Sequence, residues 1–188
     1  MLRKNAEGGD GVADLILTRP AAADAAAVAE LVEDWRAFGG RMNPGLLRAY
    51  DGDYSAWLDD LRRRETGEGI GDEVPQTFYF LRDGDAIVGA VSVRHYLNHT
   101  NFVDGGHVAY GICPAFRGRG YGSRALALAL EKLRELGVDR VLVTCDTDNL
   151  PSRRVIARNG GVLENQTVDE DGVPICRYWI ARETKPWA

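Results

Sequence analysis

Apolar positions along this chain alternate between strand-like runs and helix-spaced stripes, and glycine, proline and acidic clusters separate them. Asp14-Leu-Ile-Leu-Thr-Arg19 predicts a first strand stopped by Pro20. Ala25, Val28, Leu31, Val32 and Trp35 recur at helical spacing from about Asp24, and Gly39-Gly40 marks the end of that helix. Signals from Arg41 to Asp53 are mixed. Around Ser55 to Arg64 a second helix sets Trp57, Leu58 and Leu61 on one side, and Glu65 to Pro75 reads as an acidic, glycine-bearing loop. Thr77-Phe-Tyr-Phe-Leu81, the Asp83-Gly84 turn and Ala86 to Tyr96 predict a hairpin, followed by a polar connection from Leu97 to Gly106.

A strand is expected to end at Cys113, followed by a glycine loop and then a helix over Tyr121 to Leu136. Its apolar stripe is Leu126, Ala129, Leu130, Leu133 and Leu136, and Gly137 stops it. Arg140-Val-Leu-Val-Thr-Cys145 is nearly all apolar, as in a central strand covered on both faces. Asp146 to Asn149 supply capping oxygens for a short helix, Leu150 to Arg158, with Pro151 in its first turn. Strands around Val162 to Val168 and Pro174 to Ala181 flank the Asp171-Gly172 turn. This order predicts an α/β (mixed α+β) fold, with helices on both faces of a central mixed sheet. No repeat or linker interrupts it, so residues 1–188 are read as a single domain. Its first twelve residues are expected to be flexible, because Met1 to Gly11 is polar and glycine-rich.

Composition narrows the partners. With 188 residues the chain is long enough for a sizeable core. A net charge of −5 argues against general nucleic-acid or membrane-surface binding and suits a cationic substrate better. Cys113, Cys145 and Cys176 lie in apolar runs without metal-ligand spacing, so free thiols in a reducing, cytoplasmic setting are expected and no metal is. No apolar run approaches the ~20 residues of a membrane helix.

No acidic residue occurs from Gly105 to Leu130, although the chain as a whole is acidic, and this stretch contains Arg117, Arg119 and the glycines 118, 120 and 122. A strand, a glycine turn and a helix start make an anion site, because free N–H groups and the positive dipole end act together. A P-loop is excluded, since no Lys follows the glycines. A dinucleotide fingerprint fits poorly, since Ser123 stands where the third glycine belongs and the motif comes late in the chain.

Cys113-Pro-Ala-Phe-Arg-Gly-Arg-Gly-Tyr-Gly resembles the coenzyme A pyrophosphate loop of the GNAT superfamily of N-acetyltransferases. Asn149-Leu-Pro-Ser152 is similar to that family's Asn-x-x-Ser/Ala motif, and Asn159-Gly160-Gly161 to its Gly-Phe turn. The resemblance covers about Val91 to Ile180. Gly-Gly-His-Val-Ala-Tyr and Arg177-Tyr-Trp-Ile resemble a bacterial branch of predicted acetyltransferases. The resemblance implies a GNAT-like, mostly antiparallel sheet and acetyl-CoA as the cofactor. The pyrophosphate would rest on the N–H groups of Gly118, Gly120, Tyr121, Gly122 and Ser123, with charge from Arg117. Ile112 and Cys113 would offer backbone groups to the pantetheine arm, and Asn149 and Ser152 would complete the cofactor site. Arg119 can serve there or snorkel at the surface. Asn149 and Ser152 also have ordinary roles in the first turn of a helix.

The implied reaction is direct attack of a primary amine, on a small molecule or a peptide, on the thioester. A lysine-like amine has a pKa of ~10.4, so a base is expected near the acetyl carbon. His107, on the strand before the loop, is the candidate, with a structural histidine as the competing reading. His95 and His99 can line the substrate side or be ordinary surface residues. Ile156 stands where many family members have a general-acid Tyr, seven residues after Asn149, and Tyr110 faces away from His107 by strand parity. Asp72, Glu73 and Asp104 can hold a cationic acceptor, and Trp35, Trp57, Tyr50 and Tyr54 can line its pocket or form core. Two alternatives remain, a non-catalytic acyl-CoA sensor or partner domain and an adenine-nucleotide binder; a homodimer is compatible with either activity.

Overall fold

The computed structural model describes residues 15–169 and 171–181. The expected flexible start and Asp14 lie outside the described residues. Seven strands and six α-helices follow in the order β1 (Ile16–Thr18), α1 (Ala25–Phe38), α2 (Gly45–Arg48), α3 (Tyr54–Thr66), β2 (Gln76–Asp83), β3 (Ala86–Arg94), α4 (His99–Val103), β4 (Val108–Ile112), α5 (Tyr121–Glu135), β5 (Arg140–Asp146), α6 (Leu150–Arg158), β6 (Val162–Val168) and β7 (Pro174–Ala181). Helix α1 ends where Gly39 and Gly40 take φ of 83° and 81°, a region that favours glycine. Helix α3 starts on Asp53, whose carboxylate accepts the Ala56 N–H.

The strands form two antiparallel sheets, β1-β2-β3-β4 and β5-β7-β6. Helices cover both faces of the first. On one face Val28, Val32, Trp35, Leu47, Trp57 and Leu61 pack against Phe78, Phe80 and Ala90. On the other, Leu126, Ala129 and Leu133 of α5 pack against Tyr79, Leu81, Val91 and Val93, and this core continues into Val141, Val143 and Ile180 of the second sheet. Burial on this scale, at about 25 cal/mol per Å² of apolar surface, is what holds the layers.

The sequence pattern predicted one central sheet, and the structure divides it. β4 is the edge of the first sheet and β5 the edge of the second. They meet where the His107 N–H donates to the Leu142 carbonyl at 2.8 Å, and no ladder joins them beyond that point among the described residues. The apolar run of β5 is therefore buried beside a seam, not inside a continuous sheet. The connection from Leu97 to Gly106 also differs from expectation, because Asn98 caps the Asn101 N–H and starts the short helix α4 there. No helix among the described residues is long and apolar enough to cross a membrane.

Candidate active site

β3 covers only one edge of β4. The bonds from Arg94 N–H to His107 C=O (2.8 Å) and from Cys113 N–H to Val88 C=O (2.9 Å) set the alternation. Odd-numbered residues of β4 face β3, and the N–H and C=O groups of Val108, Tyr110 and Ile112 face the seam. Cys113 therefore spends its N–H inside the first sheet, contrary to the expectation that it serves the pantetheine. The Ile112 carbonyl accepts Arg117 Nε at 3.0 Å, which leaves its N–H for the seam. Tyr110 turns both its N–H and its C=O to the seam.

Beyond Cys113 the chain turns through Pro114–Phe116 into the glycine loop. Gly118 and Gly120 have φ of 79° and 81°, and a Cβ at either would meet nothing within 4 Å, so backbone conformation is what requires glycine there. Gly122 is different: a Cβ there would lie 3.2 Å from Val155 Cγ2, where α5 and α6 approach. No acceptor among the described residues takes the N–H groups of Gly118, Arg119, Gly120, Tyr121 or Gly122. The Ser123 N–H, expected to join them, donates instead to the Gly120 carbonyl at 3.1 Å. Arg124 Nε, on the first turn of α5, is buried without a partner. Five free donors and the helix dipole make this end of α5 suited to a phosphate group, while the Arg124 guanidinium reaches Glu131 at 3.7 Å.

Side chains lock the loop in place. The Arg117 guanidinium lies over the Trp35 and Phe38 rings, 5.7 and 5.4 Å from their centroids. Arg119 lies over Phe116 and reaches the Ala115 carbonyl. The Tyr121 hydroxyl donates to Asp83 at 2.5 Å, tying the start of α5 to the β2–β3 turn. Asn159 Nδ2 donates to the Ser123 carbonyl, so the end of α6 holds the same turn of α5.

Across the seam, the Asn149 carboxamide accepts the Ser152 N–H at 3.1 Å and caps α6. The Ser152 hydroxyl lies 2.9 Å from the Tyr110 hydroxyl. Tyr110 thus bridges the seam from β4 to α6, and burial pushes its pKa up to about 12. Strand parity correctly placed it away from His107 but gave no sign that Ser152 would be on that side. Ile156, four residues after Ser152 on α6, is fully buried.

His107 is 6% exposed, and its Nδ1 accepts the Leu142 N–H at 2.9 Å. With its own N–H on the Leu142 carbonyl, it fastens β4 to β5 by two bonds. Burial, with the nearby Arg94 charge, lowers its pKa to about 4. The ring nitrogen that a base would use is committed to the backbone, and the neutral ring carries its proton on Nε2.

The remaining candidates lie apart from the seam or in the core. His95 Nε2 sits 2.9 Å from the Thr77 hydroxyl, and burial lowers its pKa. His99 is exposed at the start of α4. Trp57 and Tyr50 are buried in an aromatic cluster with Tyr54. Glu73 pairs with Arg64, and Asp104 accepts the Gly105 N–H and the Thr144 hydroxyl. The three cysteines are buried and free; burial pushes the Cys113 thiol up to about 12 and Cys145 up to about 11.

A glycine-loop helix start beside a split between two antiparallel sheets suits a phosphate-bearing ligand, and comparison specifies the family. The sequence model for the acetyltransferase (GNAT) domain matches residues 14–162, and the chain belongs to that family. One relative is YnaD of Bacillus subtilis (strain 168), named as an uncharacterized N-acetyltransferase. It is 28% identical over 91 residues, covering 48% of this chain and 51% of that protein, so the match spans about half of each. Among solved structures, the microcin C7 self-immunity acetyltransferase MccE, in complex with acetyl-CoA and AMP, matches with a TM-score of 0.66 and 20% identity, over 91% of this chain and 94% of that one. The ribosomal L7/L12 alpha-N-protein acetyltransferase RimL, in complex with coenzyme A as a disulfide to one of its cysteines, matches with a TM-score of 0.66 and 16% identity, over 89% of this chain and 93% of that one.

Proposed function

We propose that this protein is an acetyl-CoA-dependent N-acetyltransferase that acetylates a primary amine of a small molecule or peptide. One observation carries the reading: five free N–H groups at the start of α5 lead into a seam where Tyr110 and Ser152 pair their hydroxyls. Family membership and the acetyl-CoA in the MccE structure support the cofactor. RimL, an N-terminal protein acetyltransferase by name, supports peptide amines among the acceptors.

Acetyl-CoA supplies the acetyl group as a thioester. The N–H groups of Gly118 to Gly122 would hold its pyrophosphate, while Arg117 braces the loop against α1 and β4. The seam-facing groups of Tyr110 and Ile112 hold the pantetheine amides as a further strand would. With Ser152 donating to the Tyr110 oxygen, the Tyr110 hydroxyl would keep its own proton to donate toward the thioester. Tyr110 stays protonated at neutral pH and so remains a donor throughout. His107 is a positioning residue that sets the distance between β4 and β5. The amine, as its free base, would form the C–N bond while the C–S bond breaks; coenzyme A would leave as the thiolate, and the proton lost by the nitrogen would pass to solvent.

The test is a panel of amines with acetyl-CoA, read by thiol release and by mass analysis of the products. An acetylated amine formed in step with thiol release is expected. Tight acetyl-CoA binding without release by any amine would favour the non-catalytic sensor, and failure to bind acetyl-CoA would remove both readings.

A further inference from the structure

On the sheet face opposite Tyr110, a cavity of about 320 Å³ opens between the start of β2, the end of β3 and α4. Its lining includes Asp72, Glu73, Gln76, Arg94, Asn98 and Asn101. Some polar atoms there are already committed. Asn98 donates to the Asp72 carbonyl and accepts the Asn101 N–H, and Glu73 pairs with Arg64. Free donors remain on the Thr100 hydroxyl and the Asn101 side-chain amide, and on two further groups, Gln76 and Arg94. Gln76 is 8% exposed; its Oε1 accepts the Ser92 hydroxyl at 2.7 Å, and its Nε2 has no partner among the described residues. Arg94 Nη1 donates to the Gly105 and Gly106 carbonyls at 2.9 and 2.8 Å, while Nε and Nη2 have no acceptor and no carboxylate pairs with the guanidinium among the described residues. Desolvation lowers the Arg94 pKa against the pull of Asp104 and Glu73. The guanidinium is partly exposed, and its Nε and Nη2 stay open to a ligand in the cavity. A cationic fork beside an amide N–H donor matches a carboxylate. The Asp72 carboxylate, exposed at the mouth, disfavours a bare anion and suits a ligand that is also positively charged.

The cavity lies within reach of the seam. Ser92, which holds Gln76, is in register with Ala109, the neighbour of Tyr110. Two strand spacings, roughly 10 Å, separate Gln76 from the open edge of β4. We infer that Gln76 and Arg94 bind a carboxylate of the acceptor, so that the preferred substrates are amines bearing a carboxylate several bonds from the reacting nitrogen. This rests on the acetyltransferase reading above.

The carboxylate can come from a free amino acid or from an acidic side chain of a peptide, and calorimetry separates the two sources. One arm titrates 6-aminohexanoate against 6-aminohexanamide; the other titrates the dipeptide amide Ala-Glu against Ala-Gln. Each is run with and without saturating coenzyme A. At least tenfold tighter binding of the acid in one arm is expected. Gln76→Glu keeps the acceptor for Ser92 but replaces the free donor with a negative charge, and it should reverse the preference in that arm without lowering the melting temperature. Equal binding of acid and amide in both arms, or a preference that survives Gln76→Glu, overturns the inference. Failure of the acetyltransferase reading shows separately, as absence of acetyl-CoA binding in the same calorimeter.

Discussion

His107 offers the sharpest contrast between a structural and a chemical role. In His107→Ala the buried Leu142 N–H loses its acceptor, at a cost of about 1–3 kcal/mol. The vacated ring space adds about 2 kcal/mol. Together these predict a loss of roughly 3–5 kcal/mol, or about 10 °C in melting temperature for a chain of this size. His107→Asn places a carboxamide oxygen near the position of Nδ1 and should recover most of that loss. Protonation gives a second readout. The folded pKa of about 4 lies below the ordinary 6.5, so the neutral ring is the form that folding favours. The stability it contributes is present above pH 6.5 and is lost as the pH falls from 6.5 towards 4, by as much as about 3 kcal/mol. His95 acts in the same direction, so the difference between wild type and His107→Asn isolates His107. Chemical denaturation from pH 4 to 8 measures the stabilities, and steady-state kinetics on the same samples measures turnover. His107→Asn should restore stability, flatten the acid limb and keep kcat/KM within a few-fold of wild type. A variant that folds like wild type but loses a hundredfold or more in kcat would refute this, because an amide cannot act as a base.

Tyr110→Phe removes the donor that meets Ser152 and should lower kcat about 10- to 100-fold while the acetyl-CoA Kd changes less than threefold; steady-state kinetics paired with calorimetry checks this. Gly120→Val forces a branched side chain to φ of 81° and should raise the acetyl-CoA Kd at least tenfold by calorimetry. With no titrating base at the seam, kcat/KM for an alkyl amine should rise about tenfold per pH unit from pH 7 to 9. For a peptide N-terminal amine it should level off near pH 8, and an inflection near pH 6.5 with both would contradict the account.

The glycine loop was legible in the sequence because its demands are local. Gly118 and Gly120 need a backbone region that few other residues adopt, and the apolar stripe of α5 follows immediately. The bounds of α6 were legible for the same reason, since Asn149 and Pro151 define its first turn within four residues. What remained hidden depends on long-range pairing. The split between the sheets leaves no trace in the apolar run of β5, which is buried whether its neighbour is a hydrogen-bonded strand or the far side of a seam. The same limit applies to His107 and Tyr110: their partners, Leu142 and Ser152, lie 35 and 42 residues away, and the pattern of β4 names neither. Parity identified the face of each side chain but not what waits there. Helix α4 was missed because five residues are too few to establish a helical stripe.

Hydrogen–deuterium exchange of the protein with and without acetyl-CoA tests the cofactor site most directly, because the account names individual backbone groups. Acetyl-CoA should slow exchange at Gly118 to Gly122 and at Tyr110 and Ile112, and leave the Cys113 and Ser123 amides, already bonded within the chain, nearly unchanged. Binding of acetyl-CoA with no protection at the loop or along β4 would contradict the account.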